Sequence, residues 1–237
     1  GTLTLSAGRI RSTGPTGTAG GSVTVQVAGA LVLTGSGPTL DVSGAANGGV
    51  LRVTAGSIDV RAGSVAADGT GSGACGGAIF LKATAGPLAL AAPVHATGNL
   101  LCAGGLLDLS GDSVTVATTL NAAGGDFPGG ISLTANAGDV TITGAGVLKA
   151  SGEQIELGDG GDGGPMAIAA ESGNVSIQGA ITTEGATPEG AGGEVTIVAG
   201  GRVDVAAQIS AQGNGGGSDG ASLEIDASGD DAITANV

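Results

Sequence analysis

Glycine doublets recur along the chain at an almost constant interval, and a fixed period of this kind admits few folds. Gly20-Gly21, Gly48-Gly49, Gly76-Gly77, Gly104-Gly105, Gly129-Gly130, Gly163-Gly164 and Gly192-Gly193, followed by Gly220-Ala221, begin 28, 28, 28, 25, 34, 29 and 28 residues apart. A repeat of this length marks a tandem array in which each unit is one module stacked on its neighbours. Glycine is never strictly every third residue, which excludes a collagen triple helix.

Within each unit three short stretches alternate apolar and polar residues, the pattern of strands with one buried face. The first follows the doublet: Val23/Val25, Leu51/Val53, Ile79/Leu81, Leu107/Leu109, Ile131/Leu133, Met166/Ile168, Val195/Ile197 and Leu223/Ile225. The second runs from Leu3/Leu5 through Leu31/Leu33, Ile58/Val60, Leu88/Leu90, Val114/Val116, Val140/Ile142 and Val175/Ile177 to Val203/Val205, with Ile233 expected to begin a ninth. The third has smaller inward residues: Ile10/Ser12, Leu40/Val42, Val65/Ala67, Val94/Ala96, Leu120/Ala122, Leu148/Ala150, Ile181/Thr183 and Ile209/Ala211. No segment carries a helical apolar period. The expected fold is all-β, a parallel β-solenoid (β-helix) of about eight coils of roughly 28 residues with three short strands per coil, right-handed as parallel crossovers are. The whole chain, 1–237, reads as a single solenoid domain, cut in mid-coil at both ends and without a capping element at either.

Composition fits such a column. Of 237 residues 51 are Gly, 41% are hydrophobic and only 1% aromatic, with no Trp or Tyr. Enough apolar material is present to escape disorder, but only for a narrow aliphatic core. Seven Lys and Arg against 21 Asp and Glu give a net charge of −14, which, with no aromatic platforms, argues against nucleic-acid binding. The acidity belongs to one half. Residues 1–120 hold five acids and five bases, whereas residues 121–237 hold 16 acids against Lys149 and Arg202. No apolar run approaches the roughly 18 residues that a membrane-crossing helix needs. The chain opens Gly-Thr-Leu-Thr-Leu with no signal peptide, so it reads as a processed chain or an excerpt of a longer one.

The phrases Gly-Gly-Ser-Val-Thr-Val, Gly-Gly-Ile-Ser-Leu-Thr-Ala-Asn-Ala-Gly-Asp-Val-Thr-Ile-Thr-Gly and Gly-Gly-Glu-Val-Thr-Ile-Val-Ala-Gly-Gly-Arg-Val-Asp-Val resemble the β-helical repeats of filamentous-haemagglutinin-like bacterial surface proteins. The likeness lies in repeat grammar and covers almost the whole chain. It implies secretion to the cell surface, a long fibrous shaft, and adhesive or structural roles towards host or neighbouring-cell ligands.

Three groups of residues could carry more specific chemistry. Glu153, Glu156, Asp159 and Asp162 recur every third residue in the longest unit and lead into a Gly-Asp-rich corner. Carboxylates on such a turn can wrap Ca²⁺, so Glu156, Asp159 and Asp162 are candidate ligands, against the plainer reading of solvated charge. Asp68, Asp126, Glu184, Glu189 and Asp219 fall in the corresponding corners of other units and suggest a looser acidic ridge. Cys75 and Cys102 lie 27 residues apart at the same corner of successive coils, where a spacing of about 4.8 Å suits a disulfide. His95, between inward Val94 and Ala96, is expected outward beside Ala66 and Asn121, with no carboxylate, Cys or second His near it. Phe80 also points outward, as a lateral contact or an isolated apolar side chain.

These features favour a non-catalytic structural or adhesive rod, extracellular, self-associating head to tail or forming part of a longer shaft. No cofactor is expected beyond the candidate Ca²⁺. The alternative is a polysaccharide-binding or polysaccharide-degrading β-helix, which needs paired carboxylates and aromatic sugar platforms that outward Arg52, Phe80, Asp108 and Ser132 do not supply. Ice binding needs aligned threonines, and outward Thr24, Thr115, Thr141 and Thr196 are scattered among other types.

Overall fold

A computed structural model describes residues 1–99, 101–125, 127–153, 160–215, 219–229 and 232–233. Among them there is no helix, and every strand-to-strand ladder is parallel, as in a β-solenoid of about eight turns. Each coil contributes its first strand to one ladder, for example Val50–Val60, Ala78–Ala83 and Leu106–Gly111, and its third strand to a separate eight-stranded sheet.

The inward pairs read from the sequence stack one above another without a slip. Leu51 pairs with Ile79, Ile79 with Leu107, Leu107 with Ile131, Ile131 with Met166 and Met166 with Val195. In the second ladder Ile58 pairs with Leu88, Leu88 with Val114, Val114 with Val140 and Val140 with Val175. Ile79, Leu107, Leu109, Val114, Leu120, Leu148 and Val203 are all fully buried, so the core is one aliphatic column along the rod. In a parallel stack a one-residue slip would turn an entire strand's apolar set to solvent, which is why the inward alternation fixes the register.

Further along, the ninth strand of the second ladder is present as the sequence suggested, but Ile233 pairs with Val205 and so takes the second inward position of that strand, not the first. The short strand Ala232–Ile233 gave too little alternation to set its phase. A second correction concerns the doublets. Leu106 pairs with Gly130, which puts Pro128-Gly129, and not Gly129-Gly130, at the doublet position of that coil. The first two coils also depart from the three-strand plan. Their first and second strands run together as Ser22–Leu33 and Val50–Val60, with a bulge between Val27 and Ala30 turning the corner.

The doublets are close approaches of backbone to backbone. A Cβ on Gly48 would lie 1.9 Å from the Ala67 carbonyl oxygen, and one on Gly76 2.3 Å from that of Ala96. The second glycine closes its own coil: Gly49 N–H donates to Val42 O at 2.7 Å, Gly77 to Ala67 at 2.6 Å, and Gly105 to Ala96 at 2.6 Å. The inward residues at this pinch are mostly small: Ala67, Ala96, Ala122 and Ala150 fill it, with Val42 and Thr183 at the same position in two coils, all fully buried. Gly48→Ala is therefore expected to lower unfolding free energy by about 1–3 kcal/mol through overpacking. Gly220→Ala, where a Cβ meets nothing within 4 Å, should stay within about 0.5 kcal/mol of the parent in chemical denaturation.

Candidate functional site

The outward side of the third-strand sheet holds the densest set of specific side-chain bonds. Arg11, Asp41, Ala66, His95, Asn121, Lys149, Thr182 and Ser210 stack in one column. The residues just past this strand add a second polar line. Asp41 is buried and accepts from Arg11 Nη2 at 2.8 Å, Arg11 Nε at 3.1 Å and the Ser43 N–H at 3.0 Å. Burial pushes its carboxyl pKa up, but the Ser43 N–H and the Arg11 guanidinium outweigh that and hold it below the ordinary value.

One coil on, Asp68 Oδ2 lies 2.6 Å from His95 Nδ1, while Asp68 Oδ1 accepts from the Thr97 N–H and hydroxyl, each at 2.8 Å. This overturns the expectation that His95 has no carboxylate beside it. Asp68 sits in the corner after the third strand of the coil below, and the turn carries it under His95. The hydrogen bond to Asp68 raises the His95 pKa, burial opposes it, and the charges of Asp68 and Asp41 reinforce it. Thr97 donates to the same carboxylate and not to the imidazole, so the trio lacks the base-to-hydroxyl contact of an activated nucleophile. Further along the rod, Ser151 Oγ accepts the Glu184 N–H at 3.3 Å, and the Ser210 hydroxyl donates to the Glu184 carboxylate. The expected acidic ridge is thus partly consumed in coil-to-coil bonds: Asp68 and Glu184 are engaged, Glu189 and Asp219 are exposed, and Asp126 lies outside the described residues.

Of the candidate Ca²⁺ ligands, Glu156 and Asp159 lie outside the described residues. Asp162 is exposed, and its Oδ1 accepts the Ala191 N–H at 2.8 Å, a coil-to-coil bond. Among the described residues, no three His, Cys, Asp or Glu side chains gather as metal ligands would. Cys75 and Cys102 are joined across neighbouring coils with their Cα atoms 4.8 Å apart.

The first-strand sheet presents a different surface. Outward Thr24, Arg52, Phe80, Asp108, Ser132, Ala167, Thr196 and Glu224 form one column. Phe80 is half-buried beneath the Arg52 guanidinium, whose carbon lies 4.7 Å from the ring centroid. Beside this column, Leu106, Gly130, Pro165, Met166 and Glu194 line a shallow recess of about 290 Å³. No family model, curated protein or solved structure matches the chain.

Two measurements probe this side of the rod. A histidine whose folded pKa is raised stabilises the fold fully below its unfolded pKa of about 6.5 and loses that contribution as pH rises through the folded value. NMR titration is expected to place the His95 midpoint above 6.5. The part of thermal stability lost as pH rises across that window should vanish in His95→Ala. The native chain is expected to take up no alkylating reagent without reductant. Reduction, which opens a loop of 27 residues, should cost on the order of 3 kcal/mol in chemical denaturation.

Proposed function

We propose that the chain is a non-catalytic structural or adhesive shaft, an extracellular rod that extends by adding coils end to end. The observation carrying this reading is that the inward residues stay paired through all three strand positions, with the side chains bonded along the rod and not gathered around a cleft. Eight coils at about 4.8 Å make a column about 40 Å long whose length, not whose pocket, is its main product.

Among the described residues the outermost first-ladder strand, Leu223–Ala227, pairs on one side only, and its inward Leu223, Ile225 and Ala227 are half-exposed. At the opposite end Leu3 and Leu5 are half-exposed in the same way. Such an edge offers free backbone donors and acceptors beside an apolar cross-section, which a further coil of the same period would cover, from more of the same polypeptide or from another copy. The paired cysteines suit an oxidising compartment outside the cell. Negative-stain electron microscopy and sedimentation over a range of concentrations test the proposal. Rods that lengthen in multiples of about 40 Å are expected. Particles of one length at every concentration would exclude end-on association.

A further inference from the structure

We infer that the outward face of the first-strand sheet is a self-pairing surface on which two copies of this chain lie side by side, antiparallel, about a two-fold axis running along the strand Gly130–Ala135. The face is continuous from coil to coil. The paired stretch, the second coil to the eighth, is seven coils at about 4.8 Å by five residues at about 3.3 Å, or about 550 Å² per copy, at the small end of specific contacts.

Its charges are sorted along the rod. The bases Arg52 and Lys82 occupy the second and third coils, whereas the acids Glu194, Glu224 and Asp226 occupy the seventh and eighth, and all five are exposed. A two-fold axis along the fifth strand superposes the second coil on the eighth, the third on the seventh and the fourth on the sixth, while keeping each column on itself. Arg52 then faces Glu224 of the second copy, with Asp226 in the adjoining column. Lys82 covers Val198 of the second copy, which is 40% exposed in the single chain, and its ammonium lies one coil from Asp226. Leu106, 41% exposed, meets the coil of Pro165 and Met166, at the shallow recess floored by Gly130. Asp108 faces Ala167, a small residue that leaves the carboxylate hydrated. On the axis itself stand only Gly130, Ser132 and Thr134, which permit close approach.

The parallel alternative is disfavoured by the same register. An axis along the rod would set Arg52 against Arg52, Asp108 against Asp108 and Glu224 against Glu224, and like charges so placed are repulsive. The surface is therefore isologous in one orientation only, the pattern expected of a two-fold contact.

This pairing is separate from end-on growth, since it uses the outward face and not the strand edges. Sedimentation of the 237-residue chain is expected to show side-by-side pairing that weakens with salt, seen by electron microscopy as rods of doubled width whatever their length. Arg52→Glu should raise the dimer dissociation constant about tenfold or more, and Arg52→Glu combined with Glu224→Arg should restore it. Because both positions are exposed, circular dichroism should show the fold intact in each variant. Ser132→Cys, on the axis, should form an intermolecular disulfide on mild oxidation, and Arg52→Cys should not. A width that never doubles at high concentration, a dimer indifferent to Arg52→Glu, or self-cross-linking through Arg52→Cys would each overturn the inference.

Discussion

The hydrogen-bond ladder between successive coils is the constraint on which everything else in this molecule depends. Because it is parallel and in register, each residue lies over its counterpart in the next coil at about 4.8 Å. Inward, that repetition helps: aliphatic side chains stack on aliphatic side chains, and the core becomes a column that needs no large ring to fill it. Outward, the same repetition is a hazard, since equal charges in one column would face each other along the whole rod. The columns avoid this by changing type from coil to coil. Arg11 sits beside Asp41, Arg52 over Phe80, and Asp139 accepts from the Asn174 backbone and amide. The side-chain bonds are therefore mostly between coils, and each one ties two coils together at a point where the sequence could have set them against each other.

The ladder also explains where variation is tolerated. A coil cannot gain or lose a residue inside a strand without turning its inward side chains to solvent, so length differences fall in the corners, the largest of them between the third strand and the glycine doublet. The short coil and the long coil follow one another there, yet Leu107, Ile131 and Met166 remain in register. What holds that corner constant while its length varies is the pinch of the doublet. The second glycine bonds back to the last inward residue of the third strand, with Gly164 reaching Ala150 at 2.6 Å even in the longest unit.

Much of this was legible from spacing alone, because inward positions obey a single rule of period two repeated at a fixed interval. The ladders pair the inward residues that the sequence set apart, down to the irregular unit where Leu148 lies between Leu120 and Ile181. The misreadings come where that rule gives no purchase. Gly129-Gly130 has the composition of a doublet, but the strand alternation at Ile131 shows that Pro128 occupies the first doublet position. Strand alternation sets His95 on the correct face but does not reveal its partner. Its partner Asp68 is in a corner, whose path the alternation does not describe. A signal was present all the same: counted from the inward Ala67 and Ala96, Asp68 and Thr97 share one position, and His95 is the residue two before Thr97. Bonds that leave the strands can be found only by counting corner residues from the last inward side chain.

The sorting of charge along the rod gains its meaning from the same geometry. A stack with five acids and five bases in residues 1–120 and the whole net charge of −14 beyond them has distinguishable ends. Joined end to end, rods of this kind are favoured in head-to-tail order, since like ends would set acid against acid. Laid side by side, they are favoured in the opposite sense, since antiparallel neighbours set the neutral half against the acidic one. The two preferences do not compete, because one acts through the strand edges and the other through the outward face of the first-strand sheet. A single asymmetry in the distribution of carboxylates thus specifies direction in both dimensions of an assembly, while the register of the ladder decides which residues meet.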